Sequence, residues 1–114
     1  MLDRSIFVQF QKEGIHRYPA APEGVEFLQH PHRHMFHFVV TLGVTHNDRD
    51  VEFILFKREL EGLFSAGTMD IDYKSCEMLG EELIEYISGK YPNRKIQVEV
   101  SEDNENGAVI SYAP

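Results

Sequence analysis

Cysteine is almost missing from this 114-residue chain: Cys76 stands alone, so no internal disulfide framework holds the fold. Long apolar runs are missing too, which excludes a helical membrane span. Met1-Leu2-Asp3-Arg4 lacks the basic-then-apolar pattern of a secretory leader. Positive charge is scarce, with 11 Lys and Arg against 19 Asp and Glu and a formal net charge of −8. A nucleic-acid-binding surface needs clustered cations to displace counterions, so that class of partner is not expected. No membrane partner is expected either, and the cytoplasm is the expected location. What is present is an ordinary globular balance, 42% hydrophobic and 26% charged, at a length that makes one domain over residues 1–114.

The chain shows no repeat, low-complexity tract or linker. Ser5-Ile6-Phe7-Val8-Gln9-Phe10 is β-branched and aromatic and predicts a strand. Tyr18-Pro19-Ala20-Ala21-Pro22-Glu23-Gly24 predicts a loop. From His34 to Thr45 a long second strand is predicted, with His34, Phe36, Phe38, Val40 and Leu42 on one face and Met35, His37, Val39 and Thr41 on the other. Both faces are apolar enough to expect cover on each. After a turn at Asn47-Asp48-Arg49-Asp50, a helix is expected from Glu52 to Phe64, with Phe53, Phe56, Leu60, Leu63 and Phe64 along one stripe, broken by Gly67. A second helix, N-capped by Ser75, is expected to run to Ser88 with Leu79, Leu83, Tyr86 and Ile87 inward. Lys95–Val100 and Ala108–Tyr112 read as a closing hairpin around the loop Glu102–Gly107. The expected class is α+β, ordered ββααββ: a four-stranded antiparallel sheet with two helices on one face. Its two open edges would need cover or pairing across subunits. Glu99, Glu102, Asp103 and Glu105 concentrate acid late in the chain; from charge alone this is a solvated face or loop.

The histidines carry the chemistry. There are six, and five fall between positions 16 and 37. In extended chain, residues two apart point the same way, so His32 and His34 of His30-Pro31-His32-Arg33-His34 can aim both imidazoles at one point. A third metal ligand must come from elsewhere, and His16, at the end of the first strand, is the best-placed candidate. Three histidines on a tetrahedral zinc leave one position open, the arrangement of a catalytic site. Iron and nickel stay open as alternatives to Zn2+.

Phe10-Gln11-Lys12-Glu13-Gly14-Ile15-His16-Arg17, then Pro22-Glu23-Gly24, then His32-Arg33-His34-x-Phe36 resembles the zinc-binding half of the 6-pyruvoyl-tetrahydropterin synthase and 6-carboxy-tetrahydropterin synthase family. Its pattern is F-x-x-E-x-x-H-R, a loop, then H-G-H-x-[FY]. Lys74-Ser75-Cys76-Glu77 is similar to the family's P-T-S-E helix start. Val98-Glu99-Val100-Ser101-Glu102-x-Asn104 with Ala108-Val109-Ile110 resembles its terminal V-x-V-x-E-T-x-N strand pair. The resemblance spans nearly the whole chain in the same order. It implies a T-fold whose subunits join edge to edge into a barrel, as a homo-oligomer (trimer, tetramer or hexamer) with sites at subunit interfaces. It implies Zn2+ on His16, His32 and His34, and a pterin or related purine-like ring gripped by Glu102, with Ser75, Cys76 and Glu77 lining the pocket. A carboxylate suits that task because it can accept two hydrogen bonds from the N–H and NH₂ edge of such a ring.

The proton-transfer groups depart from the pattern. Synthases place a cysteine four residues before the first histidine of H-G-H, where this chain has Leu28; a variant group places a glutamate three residues before it, where this chain has Gln29. The D-H-K segment survives as Asp72-Tyr73-Lys74, and Arg33 replaces the glycine of H-G-H. General acid–base groups contribute typically ~10²–10⁴-fold each, so their loss bears directly on activity. Asp72 and Cys76 are the candidate catalytic residues, Cys76 because a thiol at a helix start is expected to have a lowered pKa; Glu26, Tyr73 and His37 are further replacement candidates. The implied function is that of a divergent, zinc-dependent synthase acting on a dihydropterin triphosphate or related ring. The alternative is a catalytically silent T-fold that binds such a ring.

Overall fold

Two thirteen-residue strands, β1 (Arg4–His16) and β2 (His32–Val44), form the backbone of the computed structural model, which describes all 114 residues. They pair antiparallel without a break, from Arg4 opposite Val44 to His16 opposite His32. Side chains alternate across a strand. Val8 and Phe10 on β1 therefore share the buried face with Phe36, Phe38, Val40 and Leu42 on β2. The opposite face of β2, from Met35 to Gly43, is only half-buried, so the full cover expected on both faces is found on one.

Helix α1 (Phe53–Glu61) and helix α2 (Cys76–Lys90) lie on the apolar face. Glu52 starts α1, its carboxylate accepting from the N–H groups of Ile54 and Leu55. The helix stops at Gly62, short of the expected Phe64. Only Phe56 and Leu60 of the expected stripe are buried; Phe64 packs against the core, while Phe53 and Leu63 are exposed. Ser75 caps α2 as expected, its hydroxyl accepting from the Met78 N–H at 3.2 Å, and Leu79, Leu83, Ile84 and Ile87 are buried. Burying large aliphatic and aromatic side chains stabilises by roughly 1.5–3 kcal/mol each, so this one shared core fixes both helices to the sheet. Glu59 ties α1 to α2: it accepts from the hydroxyls of Tyr86 (2.5 Å) and Tyr91 (2.6 Å) and pairs with Lys90 (2.5 Å). Neither helix is long and apolar enough to cross a membrane.

The fold is α+β, but the sheet is five-stranded and mixed, which corrects the expected four-stranded antiparallel one. Met69–Asp70 forms a two-residue strand, β3, parallel to β1 at Gly14 and Ile15. The closing hairpin is β4 (Ile96–Glu102) and β5 (Asn106–Tyr112), and the strand order is β3-β1-β2-β4-β5. A strand of two residues has no periodicity to read; it exists because the irregular chain before α2 lies along the edge of β1. Ile71 N–H donates to the Ile15 carbonyl and Arg17 N–H to the Asp72 carbonyl. Between β1 and β2 the chain also makes a short 3-10 turn at Glu26–Gln29.

Candidate metal centre

The far end of the β1–β2 hairpin carries the cluster. His16 and His32 are directly opposed across the strands, and His34 lies two residues further along β2, opposite Gly14. The three rings are 4.6, 5.4 and 5.0 Å apart between centroids, and one ring nitrogen from each lies within 4.8 Å of the others. Phe36 forms the floor, its ring edge-on to His16 at 5.2 Å and to His34 at 5.9 Å. Gly14 makes room for that ring: a Cβ there would sit 2.9 Å from two Phe36 ring carbons.

Each Nδ1 has an acceptor. His16 Nδ1 is 2.8 Å from the Lys74 carbonyl, His32 Nδ1 is 2.8 Å from the His30 carbonyl, and His34 Nδ1 is 2.7 Å from Asp103 Oδ2. Acceptors at all three Nδ1 atoms hold the proton there and leave the Nε2 lone pairs free, the outer-shell arrangement of metal-binding histidines. The Nε2 atoms of His16 and His34 are both buried; that of His34 makes no hydrogen bond, and that of His16 faces only a carboxylate oxygen of Glu102. An orphaned buried nitrogen costs about 1–3 kcal/mol, and three imidazole nitrogens converging within 4.8 Å suit a cation. Donor type, tautomer and convergence therefore all fit a metal ion.

Glu102 completes the surroundings. It lies opposite Phe36 on β4, on the same face as His34, and its Oε2 is 2.9 Å from His16 Nε2 and 3.8 Å from His34 Nε2. The close His16 ring holds the Glu102 carboxyl below the ordinary glutamate range, against the effect of burial. Reciprocally, Glu102 raises the His16 imidazole, burial opposes this, and the Lys74 carbonyl adds to the rise.

Asp103 is a site residue that sequence reasoning passed over. Asp103 and Asn104 both have positive φ, 53° and 59°, and Glu105 N–H closes the turn onto the Glu102 carbonyl at 3.0 Å. Asp and Asn tolerate that conformation. The turn returns Asp103 to β2: Oδ1 accepts from the Met35 N–H at 2.9 Å while Oδ2 takes His34. The only signal available was an Asp-Asn pair between two strands, which marks a turn but not its target.

The other candidates divide. Ser75 is engaged as the α2 cap, one residue beyond the carbonyl that orients His16. Cys76 is buried beside it, and its thiol is pushed up to about 12 by burial, then by the charges of Glu102 and Glu77. That is opposite to the expected fall: desolvation of the thiolate outweighs the helix start. Glu77 is exposed. Asp72 is exposed and pairs with Arg17 at 3.1 Å, and Tyr73 is exposed. His37 lies on the opposite sheet face from His34, and Glu26 is taken up by the Gly24 N–H at 2.8 Å. The Leu28 carbonyl accepts from the Tyr18 N–H at 2.7 Å, so this residue serves the loop.

No protein-family model matches the chain, and no curated protein matches it.

Proposed function

We infer that this protein is a metal-dependent pterin- or purine-binding domain of the 6-pyruvoyl/6-carboxy-tetrahydropterin synthase type, with Zn2+ on His16, His32 and His34. The observation that carries the reading is the convergence of three imidazoles whose Nδ1 atoms are all held by acceptors. A bound Zn2+ supplies Lewis acidity toward oxygens of a ligand side chain. Glu102 offers its carboxylate to the N–H and NH₂ edge of a ring, and the start of α2 at Ser75, Cys76 and Glu77 walls the same region. The unpaired edges of β5 and of most of β1 favour the edge-to-edge homo-oligomer, which would also cover the bare face of β2.

The second reading, a binding module without turnover, is favoured by a specific set of side chains. Leu28, Gln29 and Tyr73 occupy the positions of the family's proton-transfer groups. Cys76, with its thiol near 12, is protonated at neutral pH and cannot start as the base. Asp72 is engaged by Arg17.

Two measurements test these readings. Metal analysis of purified protein is expected to show one Zn2+ per chain, lost in His34→Ala; full occupancy in that variant would sink the triad. Incubating the zinc-loaded protein with dihydroneopterin triphosphate and reading products by mass spectrometry separates enzyme from binder. A 6-pyruvoyl or 6-carboxy product establishes turnover, unchanged but retained substrate establishes the module, and no retention refutes the pterin assignment.

A further inference from the structure

The three histidines leave a fourth coordination position to be accounted for, and the structure holds one carboxylate oxygen beside two of the three ligand nitrogens. Four ligands about 2.0–2.1 Å from a tetrahedral Zn2+ are separated from one another by about 3.3 Å. Glu102 Oε2 stands 2.9 Å from His16 Nε2 and 3.8 Å from His34 Nε2, two distances that bracket that edge. Both nitrogens are buried. Glu102 Oε2 is thus the neighbour that both nitrogens share, so an ion between them would have this oxygen within reach.

Its position is built rather than incidental. The β2–β4 register sets Glu102 opposite Phe36 and on the histidine face. The next residue, Asp103, is bound to β2 through three contacts, its own N–H to the Met35 carbonyl (2.8 Å), its Oδ1 to the Met35 N–H and its Oδ2 to His34. The same turn therefore fixes the acceptor for His34 Nδ1 and the carboxylate beside His34 Nε2. The Glu102 side chain is only 29% exposed.

We propose that Glu102 is the fourth metal ligand of the ligand-free protein, giving a His₃Glu centre closed to solvent rather than an open His₃ site. This rests on the metal reading above and adds a condition to it. A ring that draws off the Glu102 oxygens would open the ion, so metal access and ring binding share one side chain.

The test replaces the metal with Co2+, whose visible d–d bands report ligand type and number, and measures affinity by chelator competition. In Glu102→Gln, with its fold checked by circular dichroism, the bands are expected to change and the Co2+ dissociation constant to rise at least about tenfold. Glu102→Asp keeps the charge but withdraws it by one methylene, and serves if the Gln variant does not fold; changed bands and weaker binding are expected there too. Unchanged bands with affinity within twofold of wild type, in whichever variant folds, overturn the fourth-ligand assignment. His34→Ala separates the two levels. If it abolishes Co2+ binding while the Glu102 variants are unchanged, the triad stands and only this inference fails. If wild type takes up no Co2+, both fail together.

Discussion

Replacing Asp103 by Asn tests whether the outer shell sets the tautomer of His34. The Asp103 carboxylate is an acceptor at both oxygens, toward the Met35 N–H at 2.9 Å and the His34 Nδ1–H at 2.7 Å. An amide has only one acceptor oxygen. If that oxygen keeps Met35, the NH₂ group faces His34 Nδ1 and donates to it, so the ring proton moves to Nε2, the atom that must ligate. If the amide turns over, NH₂ meets the Met35 N–H and two donors oppose each other. Either arrangement works against the metal-binding tautomer. Loss of an outer-shell partner typically costs 10–100-fold in metal affinity, or about 1.4–2.7 kcal/mol at 1.36 kcal/mol per decade. Asn is the informative choice, because Asp103 has φ 53° and Ala there would add strain of roughly 1–2 kcal/mol. Zn2+ competition against a chromophoric chelator is expected to show a 10–100-fold rise in dissociation constant. Asp48→Asn, an exposed residue beyond the opposite end of β2, is the control. A value for Asp103→Asn within twofold of wild type would refute the tautomer reasoning.

Two further predictions concern the frame around the site. Gly14→Ala places a Cβ 2.9 Å from the fully buried Phe36 ring and 3.1 Å from Met69 Cε; it is expected to cost about 1–3 kcal/mol, read as a lowered thermal midpoint, and an unchanged midpoint would show that the ring can yield. Burial pushes the Glu59 carboxyl up, but Lys90, Tyr86 and Tyr91 together hold it below the ordinary value. Its stabilisation is therefore complete above the unfolded glutamate pKa of about 4.3 and is lost as pH falls through the folded value. Glu59→Gln is expected to destabilise by about 1–3 kcal/mol at pH 7 and by progressively less toward pH 3; a urea-unfolding gap of equal size at both pH values would refute the ion-pair account.

What could be read from the sequence was whatever repeats with a period. The alternation in β2 placed Phe36, Phe38, Val40 and Leu42 inward and put His32 and His34 on their face, and the structure keeps all six there. That face, once fixed, also decides which residue of β4 meets the histidines, because Glu102 pairs with Phe36. The pieces that escaped are set by contacts distant in sequence. β3 is two residues long and exists only against β1. Two of the three acceptors for the histidines come from positions 58 and 69 residues away, at Lys74 and Asp103, and neither a backbone carbonyl nor one acid in an acidic run leaves a sequence mark. The Cys76 expectation failed for a related reason: a helix start lowers a thiol pKa only if the thiolate stays solvated, and here the neighbours are a core and two carboxylates. Alternation thus put His32 and His34 on one face, while the protonation and orientation of all three imidazoles depend on tertiary packing. Acceptors at Nδ1 leave each Nε2 free to ligate, and in this chain the α2 approach, the loop before β2 and the β4–β5 turn each deliver one to a cluster that could hold a metal ion.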